Sequence, residues 1–292
     1  MPAVNAKEML IKASEGGYCV GAFNCTNLAQ FMGVIDAAVA KDAPIIIQTS
    51  LSPATFYGIK TIAALYRAVA DSVPVPVCLH LDHCEDVQMC KDAADAGYTN
   101  IMIDASQHDF EENVRQTKEV CDHCHRIGVS VEGELGTVGG VEDQVSVAED
   151  AAQLCDPNKS LEFVERTGVD LFAPAIGTAH GVYRTENPKI DFERFGLINE
   201  LVNKPVVRAP LIIHGGTGLK DEVVRRLVSL GGAKFNISTD LKYVLLDTTR
   251  DYIAKHPDEY NPGKVDKAVR TATKERVARY IDLLGSAGKA RA

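Results

Sequence analysis

The sequence lacks any uninterrupted run of about 18 apolar residues, so no segment of it reads as a membrane-spanning helix. It also lacks an excess of positive charge. Its 31 Lys and Arg are outnumbered by 40 Asp and Glu, for a formal net charge of −9. Nucleic-acid binding depends on a basic surface, so that partner class is excluded and the expected partner is a small molecule. An acidic balance still permits a phosphorylated ligand, because a local cluster of backbone N–H groups can hold an anion. The opening Met1-Pro2-Ala3-Val4-Asn5-Ala6-Lys7-Glu8 lacks the basic-then-apolar pattern of a secretory signal, and a cytoplasmic enzyme is the expectation. No linker-like stretch interrupts the chain, which predicts a single domain over residues 1–292. The eight cysteines, in a chain of this length without an export signal, are expected as reduced thiols rather than disulfides.

What the sequence does contain is a regular alternation. Its 292 residues, 46% of them hydrophobic, suit one (β/α)8 barrel, which runs to about 250 residues plus insertions. Short apolar runs bounded by Gly, Pro or Asp predict strands at Tyr18–Phe23, Pro44–Gln48, Val75–Leu81, Asn100–Ile103 and Val129–Glu132. Three more follow at Asp170–Ala173, Leu211–Ile213 and Ala233–Ile237. Helical patterns lie between them at Asn27–Lys41, Val87–Ala96, Phe110–Ile127, Leu161–Thr167 and Asp221–Leu230. In Ala96-Gly97-Tyr98, Thr167-Gly168-Val169 and Gly231-Gly232-Ala233 a helix ends at Gly just before a strand. Eight such units predict an α/β fold of the closed (β/α)8 TIM-barrel type, with an open doubly wound sheet as the alternative. A short N-terminal helix over residues 5–14 and a C-terminal helical extension at Lys264–Leu284 complete the expected architecture.

In such barrels the catalytic groups sit where strands end. The third strand candidate ends His80-Leu81-Asp82-His83, the sixth is followed by Gly177-Thr178-Ala179-His180-Gly181, and the seventh runs into His214-Gly215-Gly216-Thr217-Gly218. A lone histidine at a strand end is more often a hydrogen-bonding residue than a ligand. Three together, His83, His180 and His214, each beside Gly or Asp, point instead to one bound ion. Three imidazoles with an open position form a known catalytic zinc arrangement. His80, two residues before Asp82, reads as a packing or orienting residue. Cys121-Asp122-His123-Cys124-His125 imitates a metal site, but its helical spacing offers three ligands and no fourth, and it falls in an outer helix. His108 and His256 read as surface residues.

Two loops suit an anion. His214-Gly215-Gly216-Thr217-Gly218 places small residues just before a helix, and Asn236-Ile237-Ser238-Thr239-Asp240 does so after the eighth strand. Either alone would be an ordinary capped turn. Paired at neighbouring strand ends, they favour a phosphate. Acidic candidates follow the fifth strand, from Glu132 and Glu134 to Glu142 and Asp143, in a glycine-rich run expected to be a mobile loop that closes over substrate.

These motifs resemble the class II, zinc-dependent fructose-bisphosphate and tagatose-bisphosphate aldolases over essentially the full length. The resemblance is carried by Gly21-Ala22-Phe23-Asn24, His80-Leu81-Asp82-His83, Ile101-Met102-Ile103-Asp104-Ala105-Ser106 and Glu132-Gly133-Glu134-Leu135-Gly136. It continues through Gly177–Gly181, His214–Gly218, Asn236–Asp240 and Gly285-Ser286-Ala287-Gly288-Lys289. It implies that His83, His180 and His214 hold Zn2+, with Glu134 and Asp104 as supporting or alternative ligands. Asp82 falls on the carboxylate that handles the C4 hydroxyl proton, and Glu142 on the acid/base that exchanges a proton with the enediolate carbon. Gly181, Gly215, Gly216, Thr217, Ser238 and Thr239 fall on the site for the C1 phosphate, with a monovalent cation (Na+ or K+) often nearby. Arg184 occupies a position usually held by Lys close to that phosphate, while Asn24, Ser50 and Asn236 fall on substrate-contacting positions. A homodimer or homotetramer is the implied assembly. The implied reaction is reversible cleavage of a ketose phosphate of the fructose/tagatose 1,6-bisphosphate type into dihydroxyacetone phosphate and an aldehyde.

Three positions depart from the family pattern. Gly263, in Asn261-Pro262-Gly263-Lys264, stands where members acting on bisphosphates commonly carry an Arg that grips the far phosphate. Lys264 could replace that charge but not a bidentate fork. Ser238 differs from the Asp of fructose-type and the Ala of tagatose-type members, and Cys84 replaces a usual Gly. A ketose 1-phosphate with another distal group, for example a carboxylate, is therefore the alternative substrate. A different metal-dependent barrel enzyme is a further alternative. A hydrolase of that kind often carries His-x-His on its first strand, and Tyr18–Phe23 has no His.

Overall fold

The computed structural model describes residues 3–142, 145–147, 153–183, 188–204 and 206–291, with the backbone alone for 141–142 and 145–147. Eight parallel strands close into a barrel: β1 (Val20–Asn24), β2 (Ile45–Thr49), β3 (Val77–Cys84), β4 (Asn100–Ile103), β5 (Ser130–Leu135), β8 (Leu171–Pro174), β10 (Leu211–Ile213) and β11 (Gly232–Ile237). The ring closes where β1 pairs with β11, Ala22 opposite Asn236, which excludes the open sheet. All eight expected strands are present, and the differences lie at their ends. Strand β5 runs to Leu135 rather than stopping at Glu132, and β3 runs to Cys84. The run after β5, expected as a loop, contains β6 (Gly139–Glu142), which makes a hairpin with β7 (Val145–Val147) and pairs in parallel with β9 (Ala179–His180).

Local chemistry explains the helix limits. Helices α2 (Leu28–Lys41), α5 (Val87–Ala96) and α6 (Phe110–Arg126) start at Asn27, Asp86 and Asp109, whose side chains accept hydrogen bonds from N–H groups of the first turn. Helix α7 (Pro157–Thr167) begins four residues earlier than the apolar pattern suggests, because Asp156 caps it and Pro157 fits its first position. Helices α5 and α7 end at Gly97 and Gly168 in left-handed conformation. The remaining helices are α3 (Leu51–Tyr57), α4 (Ile59–Ala70), α8 (Phe192–Val202), α9 (Asp221–Ser229) and α10 (Thr239–Lys255).

Helix α1 (Ala6–Glu15) plugs the N-terminal end of the barrel. Its buried Met9 and Leu10 pack with inward residues such as Val20, Ile46, Leu171 and Ile212. Asp170, at the foot of β8, ties this plug to the wall by pairing with Lys7 (2.8 Å) and His125 (2.8 Å). The Cys121–His125 segment is thus part of a wall helix, with Cys121 and Cys124 buried and His123 paired to Asp95. Each of the eight cysteines is a buried free thiol. No helix among the described residues is long and apolar enough to cross a membrane.

The C-terminal helix α11 (Pro262–Leu283) lies along α2. Its buried line is Val269, Thr273, Val277 and Ile281, so a threonine sits in the middle of the apolar face. The reason is close approach. A Cβ on Gly33 of α2 would lie 2.7 Å from the Arg270 carbonyl oxygen and 2.8 Å from Thr273 Cβ. Arg270 then reaches Asp36 with a two-pronged ion pair at 2.6 and 2.8 Å. Gly33→Ala should therefore destabilise the protein by about 1–3 kcal/mol, the usual cost of overpacking, outweighing a helix-propensity gain of about 1 kcal/mol. An unchanged or raised midpoint of thermal unfolding would show that the two helices do not touch there.

Candidate active site

The site begins with a local irregularity in β3. Its pairing with β4 shifts register between Leu81 and Cys84, and His83 adopts a left-handed conformation with φ 46°. A regular strand would send Asp82 and His83 to opposite faces. The bulge lets both serve the mouth of the barrel. His180 arrives on β9, and His214 follows β10 directly. The ligand atoms of His83, His180 and His214 lie within 4.8 Å of one another, and their ring centroids are 4.6 to 5.8 Å apart.

Each of two imidazoles is anchored on its far side by a carboxylate. His83 Nδ1 is 2.6 Å from Asp104, whose other oxygen accepts from the Ser106 hydroxyl at 2.7 Å. His214 Nε2 is 2.9 Å from Glu132. The nitrogens left over, His83 Nε2 and His214 Nδ1, face each other at 2.8 Å. A carboxylate behind an imidazole is the usual way to fix which nitrogen turns to a metal. A second grouping, His83, Asp104 and Glu134, also meets the distance criterion for one ion. Glu134 Oε2 is buried without a hydrogen-bond partner. Burial and the neighbouring Asp104 push its pKa up to about 8. Burial alone would lower the pKa of His83, but Asp104 and Asp82 outweigh it and raise it to about 10. Burial, and then repulsion from His83, lowers those of His180 and His214. The donor set fits a divalent metal.

Asp82 is 1% exposed and gripped by three side-chain amides. Asn24 donates to Oδ2 at 2.9 Å, Gln48 to the same oxygen at 3.3 Å, and Asn236 to Oδ1 at 3.1 Å. Burial disfavours its charge, yet the nearby rings of His80, 3.7 Å away, and His83 hold its carboxyl well below the usual range. Such a group is an ionised acceptor at neutral pH.

Asn24, Asp82, His83, His180 and Asn236 line one small cavity together with the residues expected to bind phosphate: Gly181, Gly215, Gly216, Thr217, Ser238 and Thr239. The two glycine and hydroxyl loops therefore face each other beside the imidazoles. The Thr217 hydroxyl accepts from the Asp240 N–H at 3.3 Å, joining one loop to the N-terminus of α10. The Tyr183 hydroxyl accepts from the Ala179 N–H (3.0 Å) and donates to the Gly215 carbonyl (2.7 Å), joining the His180 segment to the His214 loop. Ser50, just before α3, is buried at the same end of the barrel but outside the cavity lining. Arg184 and Asp143 lie outside the described residues, as does the side chain of Glu142, whose backbone ends β6 two residues past the Gly140–His180 pair. His108 and His256 are exposed.

Three participants escape a reading of strand ends. Gln48 belongs to the amide grip on Asp82, Glu132 backs His214, and Lys234 pairs with Glu132 at 2.7 Å. All three are 0% exposed inside the barrel. Their signal in the sequence is a polar residue at an inward position of an apolar strand.

A sequence profile of class II fructose-bisphosphate aldolases matches residues 4–289. The fructose-bisphosphate aldolase of Geobacillus stearothermophilus is 41% identical over 99% of both chains. The probable fructose-bisphosphate aldolase of Bacillus subtilis (strain 168) is 41% identical over 99% of this chain and all of its own, 100%. Among solved structures, the YdjI aldolase from Escherichia coli K12 has a TM-score of 0.86 at 34% identity, covering 99% of this chain and 100% of that one. A putative fructose-1,6-biphosphate aldolase from Coccidioides immitis has a TM-score of 0.88 at 29% identity, over 98% of each. With likeness at this level from end to end, the chain belongs to the class II fructose-bisphosphate aldolase family, metal-dependent lyases that act on sugar phosphates.

Proposed function

We propose that this enzyme reversibly cleaves a ketose 1,6-bisphosphate of the fructose or tagatose type into dihydroxyacetone phosphate and an aldehyde, with His83, His180 and His214 holding Zn2+. The observation that carries this reading is a cluster of three imidazoles, two of which, His83 and His180, share one cavity with an ionised Asp82 and two anion-suited loops. Zinc bound there would act as a Lewis acid on the substrate oxygens, so no Schiff-base lysine is required. Asp82 takes the C4 hydroxyl proton, and the three amides that grip it keep its carboxylate aimed at that proton. Glu142 returns a proton to the three-carbon fragment. That role is supported by the pairing of its strand with the one bearing His180. Asp104 and Glu134 act as supporting or alternative ligands.

Gly181, Gly215, Gly216, Thr217, Ser238 and Thr239 hold the C1 phosphate at the start of α10, where N–H groups and the helix dipole favour an anion, with Arg184 and a monovalent cation beside it. Asn24, Ser50 and Asn236 contact the sugar. The exposed apolar side chains of α10, Tyr243, Leu246 and Ile253, support assembly as a homodimer or homotetramer. Eight buried free thiols support a reducing, cytoplasmic setting. The same reading takes residues 1–292 as one domain.

One observation favours a second substrate. Gly263 is exposed at the start of α11, and Lys264 is paired with Glu259 at 2.7 Å rather than left for a distal phosphate. A ketose 1-phosphate with a different distal group, for example a carboxylate, is the second reading. A panel of ketose mono- and bisphosphates, assayed for triose-phosphate release, separates the two. Release from bisphosphates alone removes the second reading, and activity that survives a strong chelator removes the zinc from both.

Asp82→Ala should lower turnover by about 10²–10⁴ while the protein stays folded and zinc-loaded. Near-native turnover in that variant would exclude Asp82 as the base. Gly215 has φ +68°, and a Cβ there would lie 2.5 Å from the Ala179 carbonyl oxygen. Gly215→Ala should therefore push the His214–Gly218 loop away from the His180 segment and raise KM more than it lowers kcat. The reverse pattern would place the phosphate elsewhere.

A further inference from the structure

Below the imidazoles the barrel contains a wholly buried lysine that the proposed reaction does not use. Lys234 is 0% exposed and sits on β11 opposite Val20, one inward position beneath Asn236. An ammonium in such a place is costly unless its partners are well placed. They are. Its Nζ is 2.7 Å from Glu132 Oε2 and 3.3 Å from His80 Nε2.

We propose that Lys234 is a positioning residue for the metal centre, holding Glu132 in the orientation that makes His214 present Nδ1 to the mouth of the barrel. The inference rests on the reading of His214 as a ligand. Glu132 is itself 0% exposed, and its two oxygens are divided: Oε2 meets Lys234, and Oε1 lies 2.9 Å from His214 Nε2. An ionised carboxylate only accepts hydrogen bonds. His214 Nε2 must then carry the ring proton, and Nδ1 keeps its lone pair. That Nδ1 is the atom facing His83 Nε2 at 2.8 Å. The carboxylate cannot turn away without separating from the ammonium, so one pair across the barrel, from β11 to β5, fixes the tautomer and aim of a residue on the β10 loop. Asp104 serves His83 in the same way, but it is braced by the Ser106 hydroxyl at the mouth. Glu132 lies deeper in the barrel, and Lys234 is its brace.

The test is Lys234→Met, which keeps length and removes the donor. Zinc affinity is measured by competition with a chromophoric chelator, and the His214 tautomer is read by proton–nitrogen correlation on protein labelled with 15N-histidine. The expected result is a dissociation constant for zinc raised by about 10–100-fold, the usual cost of losing a partner behind a ligand. Loss of the Nε2-protonated pattern of His214 should accompany it. If Lys234→Met does not fold, the paired Lys234→Met/Glu132→Gln variant leaves no unpaired buried charge and is expected to show the same weakening. A folded variant that binds zinc within twofold of the native protein, with the His214 pattern intact, would overturn the proposal. If the native protein itself binds no zinc, the reading of His214 as a ligand is what has failed, and this inference falls with it.

Discussion

The hydrogen bonds between carboxylates and the far nitrogens of His83 and His214 are the constraint on which the rest of this site depends. An imidazole can rotate about two bonds and protonate at either nitrogen, so three histidines at strand ends do not by themselves define a metal site. Asp104 and Glu132 remove that freedom, the first from β4 and the second from β5. Both carboxylates are buried, and a buried charge has to be matched. Ser106 and His83 match Asp104, while Lys234 and His214 match Glu132. The barrel interior is accordingly not a uniform apolar core. Its floor, packed by α1, is aliphatic, and its upper part is a network of Gln48, His80, Asn100, Glu132 and Lys234, all fully buried. Its members are tied to one another and to the site by hydrogen bonds, with Gln48 Oε1 left as a buried oxygen without a partner.

That arrangement also accounts for an ionised Asp82 held among buried imidazoles. Three neutral amides from β1, β2 and β11 surround it, so its position does not depend on any one charged partner. The closure of the barrel between β1 and β11 is what sets Asn24 and Asn236 on the same side of it. Fold and chemistry meet at that seam. A sheet that failed to close there would keep every residue of the motif and lose the grip.

Much of this was legible in the sequence because strand ends announce themselves. Asn100–Ile103 and Leu211–Ile213 are bounded where their flanking residues require, and Gly97 and Gly168 stop their helices through a backbone conformation that glycine adopts freely. His83, His180 and His214 stand out because three histidines, each beside Gly or Asp, leave three strand ends that a barrel brings to one mouth. Harder to read were residues whose meaning depends on a partner across the barrel. Glu132 closes the expected strand at the head of an acidic run, and nothing beside it in the chain marks its tie to His214. It alternates inward with Ser130 and Glu134, while Gly133 faces the helix layer near Phe163 and Thr117. Lys234 carries only the faint signal of a charge at an inward position of an apolar strand, since a lysine in a strand is usually on the surface. The β3 bulge was also invisible, because a histidine at φ 46° violates the residue's own preference and is held there by its contacts.

The division of labour in the fold bears on which substrate is cleaved. The groups proposed here for the breaking bond and the first phosphate are carried by barrel strands or by the segments that follow them. Gly263 and Lys264 belong instead to α11, which is attached to the barrel by packing on α2 and by the pairing of Arg276 with Asp240. A change at the start of α11 therefore leaves the imidazoles, Asp82 and the phosphate loops undisturbed. Bond cleavage and recognition of the distal end can vary separately in such an architecture. The absence of an arginine at Gly263 is thus an argument about the far end of the sugar and not about the reaction.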